Sequence, residues 1–566
     1  MADPARPNVV WLAMEDTSPR LGCYGDDVAR TPNVDDLAAE GRRYPNAFST
    51  APVCAPSRSA VFTGCHQNAI GTHHMRTTHT NDAAPELPTP YDAVPPHYVT
   101  GIPEYFRRAG YYCTLDAKTD YQFGAPFTMW DRQHEATRSR SRDDGPGAGP
   151  GWWDDARDPD QPFFAVFTNG VTHESGMWDP TGPGADDQFG GAVEHPETDP
   201  DAVDVPPYLP DTETTRTAIA RQYDNVARSD EWVGEILDRL DADGHAEDTI
   251  VVLWSDHGEG LPRAKRWPYD SGTNVPLVVR WPGEVDDGDV DDRLVSLVDL
   301  GPTTLSACGL DVPRYCDGRA FFAAGNDGTA PERQYVVSTR DRYDESYDMV
   351  RSIRGERYRY VRHYRPGRPY RQWIPYRNRH PVMQELLDRD AAGDLTGAQS
   401  WFGEDRPAEE LYDLANDPHE TENLVGDPAH ADALGRLRDA LDEWREDVDD
   451  VGDVAESQMV HERYEGGDQP TTATPRFVPN VPGNRERDVI DGVVELDGPA
   501  TLSLYCATQG ASVGYVVDDG EDSEVQWDLY TGPIRLSEGE TTIRAKAIRY
   551  GYEESEVNEV TVHVSK

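Results

Sequence analysis

The 566-residue chain predicts an α/β protein: a large doubly wound mixed sheet flanked by helices, a smaller α+β subdomain after it, and a small appended β-sandwich. Three features carry this. Continuously apolar runs of strand length, Asn8 to Met14, Pro162 to Thr168 and Thr249 to Trp254, suit strands buried on both faces. Helix-patterned stretches separate them, as in crossover units. Near the end the pattern changes to short alternating strands broken by turn residues, which fits a sandwich. The expected boundaries are 1–325 for the α/β domain, 326–450 for the subdomain, 451–488 for a charged linker and 489–566 for the sandwich.

In chain order, the first strand hands over directly to Glu15-Asp16, at the strand end where open α/β sheets place ligands. Thr31 to Gly41 reads as a helix with a glycine stop. Next comes Cys54-Ala-Pro56-Ser-Arg58. Pro56 suits a first helical turn, so Cys54 sits at or just before a helix N-terminus, an end with unpaired N–H groups and positive partial charge. By itself that stretch is equally well a buried cysteine before an ordinary helix. In His73-His74 adjacent side chains should diverge, with one at most turned inward; His74 is the candidate. Ile102 to Ala109 is a helix, and the strand after Gly110 ends at Lys118-Thr119-Asp120. Residues 135–160 and 176–213 read as loops on either side of the strand that delivers His173. Thr214 to Leu240 has helical spacing, with Asp230 on its apolar stripe expected to be solvated or helix-bonded. The strand from Thr249 delivers Asp256-His257, then Lys265, and Leu277 to Trp281 is a further strand. In the subdomain, Tyr347 to His363 reads as a hairpin and Ala433 to Trp444 as a final helix. Ten arginines between Arg351 and Arg379 lie among aromatics. Forked hydrogen bonds and stacking would suit sulfated or carboxylated sugars. Pairing with the protein's own carboxylates is the alternative, and the usual behaviour of charge runs.

Composition narrows the chemistry. A net charge of −51 disfavours nucleic acid and anionic membranes as partners, and suits a surface hydrated in a high-salt environment. No apolar run is long enough to span a bilayer, and the start lacks a basic secretory signal, so a cytoplasmic location is expected. Seven cysteines, odd and sparse, argue against a disulfide framework. Of 53 basic residues only Lys118, Lys265, Lys546 and Lys566 are lysine. Lysine is a compact charge that can exchange a proton where arginine cannot, which singles out Lys118 and Lys265. Lys546 and Lys566 lie in the tail and carry no such reading.

The cysteine stretch, Lys118-Thr-Asp120, Ser255-Asp256-His257-Gly and the run from Lys265 to Pro276 together resemble the sulfatase family, over residues 7–445. The resemblance implies that a maturase oxidises Cys54 to formylglycine, whose hydrate attacks a sulfate ester. It also implies a metal site of Glu15, Asp16, Asp256, His257 and the modified Cys54; hard oxygen ligands suit Ca²⁺, with Mg²⁺ the other option. Arg58, Lys118 and Lys265 are implied to neutralise sulfate oxygens. Asp256 would activate the attacking hydroxyl, and His173 with Lys265 would protonate the leaving atom. His74, Lys118, Asp120 and Lys265 make the substrate-binding set. Two positions depart from the family: Glu15 replaces the commoner Asp, and Asp120 replaces a His. The motif detail is most similar to the heparan N-sulfatase, or sulfamidase-like, branch. The tail from Tyr530 is similar to the C-terminal sandwich of chitobiase. The expected function is hydrolysis of a carbohydrate O- or N-sulfate. The alternatives are a phosphonate monoester or phosphodiester hydrolase of the same superfamily, and a non-catalytic glycan-binding protein. The intact set Lys118, His173, Asp256 and Lys265 argues against the last.

Overall fold

Strand β1 (Asn8–Met14) is wholly buried, and its alternation splits the domain into two cores. Val9, Trp11 and Ala13 pack with Phe62, Ile102 and Leu305 on one face; Val10, Leu12 and Met14 pack with Val34, Leu37 and Val233 on the other. The computed structural model describes residues 6–135, 153, 158–181, 195–322, 331–464, 467–480, 490–498, 500–518 and 526–565. Most of the loop expected over 135–160, residues 182–194 of the second loop, and Lys566 lie outside the described residues.

The central sheet has eight strands. From one edge they run β10 (Asp289–Val290), β2 (Arg42–Arg43), β9 (Leu277–Arg280), β7 (Thr249–Ser255), β1, β6 (Phe163–Asn169), β4 (Tyr112–Ala117) and β5 (Arg132–Glu135). The five strands from β7 to β5 are parallel, and β9 runs antiparallel to both β7 and β2, so the sheet is mixed as expected. A second, three-stranded sheet joins β3 (Ala47–Phe48), β8 (Asn274–Val275) and β11 (Val295–Ser296). Helices α1 (Pro32–Ala39) and α5 (Glu213–Ala242) cover one face of the central sheet. On the other lie α2 (Cys54–Thr63), α4 (Ile102–Arg108) and α7 (Leu300–Ala307), with α3 (Gln67–Ile70) and α6 (Asp270–Thr273) in connections. Asp230 is buried rather than solvated: its carboxylate accepts the N–H groups of Asn33 (3.2 Å) and Val34 (2.8 Å) and so caps α1.

The subdomain is a four-stranded antiparallel sheet of β12 (Val336–Arg340), β13 (Val350–Arg354), β14 (Tyr358–His363) and β15 (Glu409–Asp413). Helix α9 (Ala431–Asp447) covers it through Leu434, Leu437 and Leu441, while α8 (Pro381–Ala392) packs on α5. The arginine-rich hairpin is paired internally. Arg351 meets Asp341 (3.0 Å) and Asp450 (2.7 Å), Arg357 meets Asp413 (2.6 Å), and Arg359 meets Glu420 (2.8 Å) and Asp270.

The described residues of the segment read as a linker include regular structure. It carries α10 (Glu456–Arg463), whose buried Glu456 takes a forked pair from Arg342 (2.6 Å each), and β16 (Arg476–Asn480). Its charges look solvated in sequence because their partners lie far away in the chain. Beyond it, β16, β18 (Ala500–Tyr505) and β21 (Ile534–Leu536) form one sheet. The other holds β17 (Gly492–Asp497), β19 (Ser512–Asp518), β20 (Asp528–Leu529), β22 (Gly539–Ile548) and β23 (Asn558–Ser565). They share a core that includes Phe477, Leu502, Ile543 and Val562. This unit docks on the α/β domain. Tyr550 donates to the buried Glu104 (2.8 Å) and accepts from Gly101 N–H (3.0 Å), and Ser512 also donates to Glu104 (2.7 Å). An aromatic ladder continues inward from Tyr550 to Phe123 (5.1 Å), Tyr121 (5.5 Å) and Phe62 of α2 (4.9 Å). Among the described residues no helix is long and apolar enough to cross a membrane.

Candidate active site

Four neighbouring strands, β4, β6, β1 and β7, each hand over charged residues at their carboxyl ends. These are Lys118 and Asp120, His173 and Glu174, Glu15 and Asp16, and Asp256 and His257 respectively. Parallel strands bring these ends together, so residues far apart in sequence meet. Lys265 arrives on the loop after β7. Gly260 allows that loop to approach, since a Cβ there would lie 2.5 Å from Glu174 Cβ.

Cys54 comes from α2. Val53 is extended, Cys54 is the first helical residue, and Gly64 ends the helix at φ 69°. Because every residue of α2 is buried, its hydroxyls must find partners. Ser59 and Thr63 donate back to carbonyls of α2, while Ser57 donates to the Asp256 carbonyl (2.6 Å) and so fixes Cys54 relative to the β7 loop.

Asp16 is the hub. One carboxylate oxygen accepts from Lys265 Nζ (2.7 Å) and Glu174 N–H (2.7 Å). The other faces His257 Nε2 (3.1 Å) and Cys54 Sγ (3.9 Å). Its N–H donates to Asp256 (3.2 Å), and its backbone has φ 45°, a strained conformation for a residue with a side chain. Cys54 Sγ lies 3.3 Å from His257 Nε2. His257 Nδ1 bonds the Gly258 carbonyl (2.8 Å), which puts a proton on Nδ1 and orients Nε2 into the cluster. Lys118 pairs with Glu15 (2.6 Å) and Asp120 (3.3 Å) at the mouth, where Lys118 and Asp120 are each 27% exposed; Lys265 is buried.

Burial opposes every charge here, and neighbours decide the outcome. It pushes the Asp16 carboxyl up, but Lys265, His173 and His257 hold it well below its usual value. Burial raises Glu15 despite Lys118, and raises the Cys54 thiol despite both lysines. It lowers Lys118, yet Cys54, Glu15 and Asp120 keep the ammonium well above its normal range. His173 is pushed down to about 3 by burial and then by Lys265, so its ring is neutral.

Two expected residues, Arg58 and His74, make contacts that the sequence does not show, and Arg58 Nη1 is left without a hydrogen-bond partner among the described residues. Arg58 is buried and donates to the carbonyls of Lys118 (2.7 Å) and Thr119 (3.1 Å) and to Thr168 (3.1 Å), so it braces the Lys118 loop. His73 and His74 are both buried, with ring centroids 4.1 Å apart, because the chain there is irregular and alternation does not apply. His74 accepts the Arg342 N–H (3.3 Å), and among the described residues no hydrogen bond or ion pair joins it to the Cys54 cluster. Sequence reasoning missed Glu174, Arg266 and Gln222. Glu174 bridges Lys265 (3.3 Å) and Arg266 (2.7 Å), and Gln222 of α5 donates to the Asp16 carbonyl (3.2 Å). Glu174 follows His173 directly, and that adjacency was the available signal.

The donor set fits a hard divalent cation. Ligand atoms of Asp16, Cys54, Asp256 and His257 lie within 4.8 Å of one another, as do those of Glu15, Asp16, Cys54 and His173. The two sets share Asp16 and Cys54. Asp256 Oδ2 is buried without a hydrogen-bond partner among the described residues, an oxygen that a cation would satisfy.

Comparison with known proteins gives family matches along the chain. Residues 7–310 fit the family model described as Sulfatase, and 258–390 fit that described as N-sulphoglucosamine sulphohydrolase, C-terminal. An ulvan-active sulfatase of Formosa agariphila is 36% identical over 586 residues, spanning 99% of this chain and 92% of its own. The N-sulphoglucosamine sulphohydrolase of Homo sapiens is 28% identical over 514 residues, 82% of this chain and 95% of its own. The solved structure of a 2-O GAG sulfatase shares the fold with a TM-score of 0.55 at 20% identity, over 80% of this chain and 94% of its own.

Proposed function

The chain belongs to the sulfatase family, and from that premise we propose that it hydrolyses sulfate from an anionic polysaccharide or its fragments, with oxidised Cys54 as the nucleophile. The observation that carries this is the placement of Cys54 at the start of a buried helix, in contact with His257 and Asp16. The names of the relatives favour a sulfated glycan over an aryl ester as substrate.

Formylglycine made from Cys54 by a maturase would supply an aldehyde hydrate, and Ca²⁺ or Mg²⁺, which Glu15, Asp16, Asp256 and His257 would hold, would supply Lewis-acid charge. Asp256, with one oxygen unpaired, takes the proton of the attacking hydroxyl. Lys118 and Lys265 set positive charge against the sulfate oxygens, and Arg58 holds the Lys118 loop in place. The Ser175 N–H donates to His173 Nδ1 (3.4 Å), which assigns the neutral ring's proton to Nε2 for a hydrogen bond to the departing atom. Lys265 carries the transferable proton. Asp120, beside Lys118, stands where the family's His closes the cycle and takes over that proton transfer. The acidic surface suits a high-salt medium.

The test combines peptide mass with turnover, using protein coexpressed with a maturase. An aldehyde at Cys54 and sulfate release from ulvan or heparan fragments are expected. Activity with Cys54 unmodified would overturn the mechanism. Faster cleavage of phosphonate or phosphodiester analogues would favour the other hydrolase class, and no turnover of any ester would leave a binding protein.

A further inference from the structure

The subdomain reaches the reaction cluster through residues 373–380. The Tyr376 ring lies 4.9 Å from Trp178 and 6.2 Å from His173, on the loop after β6. Arg76 lays its guanidinium 4.5 Å over the same ring, and that of Arg379 lies 5.7 Å away. The Arg76 side chain is 31% exposed, and its charge acts on Asp120 at the cleft mouth, so platform and mouth adjoin.

Charge at this place does not balance. Asp344 is shared by Arg76 (2.5 Å) and Arg266 (3.3 Å), and Glu174 by Arg266 (2.7 Å) and Lys265 (3.3 Å). Lys265 also meets Asp16 (2.7 Å), so three carboxylates answer these three cations. Arg377 adds a fourth: it is buried, bonds the Gln372 carbonyl, and has an Nε without a hydrogen-bond partner. Among the described residues no carboxylate pairs with it. Other buried arginines do have carboxylate partners, as with Arg342 and Glu456 or Arg351 and Asp450. An uncompensated buried guanidinium is costly, and an arriving anion would relieve that cost. Arg76, Arg266 and Asp344 have φ of 56°, 77° and 50°, and Asp16 (45°) and Asp120 (56°) are also left-handed.

We infer that Arg76 and Tyr376, beside the buried charge of Arg377 in the chain, form a subsite that reads a second anionic group on the residue next to the one whose sulfate is removed. The inference rests on the sulfatase reading. The aromatic face accepts a sugar ring, the guanidinium takes a carboxylate or sulfate oxygen, and a glycan with one isolated sulfate is the poorer substrate.

Three matched disaccharides test this: a sulfated residue next to a uronate, the methyl ester of that uronate, and a version with a second sulfate in place of the carboxylate. Wild-type kcat/KM on at least one charged member should exceed that on the ester by about 10- to 100-fold. Arg76→Gln should collapse that ratio, and Arg76→Lys should restore part of it. Whichever charged member is preferred identifies the group. Near-equal wild-type values on all three would overturn the inference and leave the sulfatase reading standing. An equal loss on all three in Arg76→Gln would also overturn it, by making Arg76 structural. No turnover of any of them with Cys54 oxidised would overturn both.

Discussion

The Cys54 cluster and the β13–β14 hairpin are both crowded with buried charge, and they handle it in opposite ways. In the hairpin the charges are completed within the chain. Arg351 is forked between two aspartates, Arg359 meets Glu420, and Glu410 accepts from His363 (2.9 Å), Tyr269 (2.9 Å) and Tyr412 (3.1 Å). In the cluster three carboxylates crowd together, and one oxygen of Asp256 is left over. Completed networks fix shape, whereas an unfinished one has capacity for something that arrives later.

Removing the unfinished oxygen should have the largest effect. Asp256→Ala is expected to lose the divalent ion in elemental analysis and at least about 10³-fold in kcat. A stoichiometric ion in that variant would place the metal elsewhere. Next come the lysines: Lys118→Arg and Lys265→Arg keep charge but alter shape and proton exchange, and each should cost about 10²- to 10³-fold in kcat. Lys546→Arg, at a Glu554 pair on the sandwich, is the silent control. Near-normal rates in both cleft variants would erase the contrast.

The hairpin should answer in stability instead. Arg351→Met takes the arginine from buried Asp341 and one of two from Asp450, which keeps Arg445 (3.0 Å), and should cost about 3 kcal/mol in chemical denaturation, with kcat retained. A rate loss without destabilisation would place Arg351 in the chemistry. The smallest effect concerns acid. Burial raises the Glu410 carboxyl, but His363 and the tyrosines outweigh it and bring it from 4.5 to about 2. Its stabilisation is therefore full above the unfolded value and fades as pH falls toward the folded one. Glu410→Gln should flatten that part of the acid limb; an unchanged slope in urea midpoints would show that other carboxylates govern it.

Much of this was legible because strands and helix starts announce themselves locally. The apolar runs ending in Glu15-Asp16 and Asp256-His257 place those residues without any tertiary information, and Pro56 does the same for Cys54. The scarcity of lysine isolated Lys118 and Lys265. Partnership was not legible. Arg266 vanishes into an arginine-rich background, and Glu456 looks like linker charge because Arg342 lies over a hundred residues upstream (|i−j| 114). Asp230 reads as a helix-surface acid because its donors, Asn33 and Val34, belong to another helix. For the two buried histidines, the missing information was the path of an irregular loop.

The ladder from Tyr550 to Phe62 has a consequence for how the molecule comes apart. The ring contacts run without a gap from the sandwich to α2, and Glu104 relies on Tyr550 and Ser512 for two of its hydrogen bonds. A chain cut short before the sandwich would leave that carboxylate with only Thr128 (2.5 Å) and Arg108 (3.3 Å) of these donors, and would bare the flank behind α2. The two units therefore share one melting event. Calorimetry should record a single endotherm, and trimming the tail should lower the midpoint for the whole molecule.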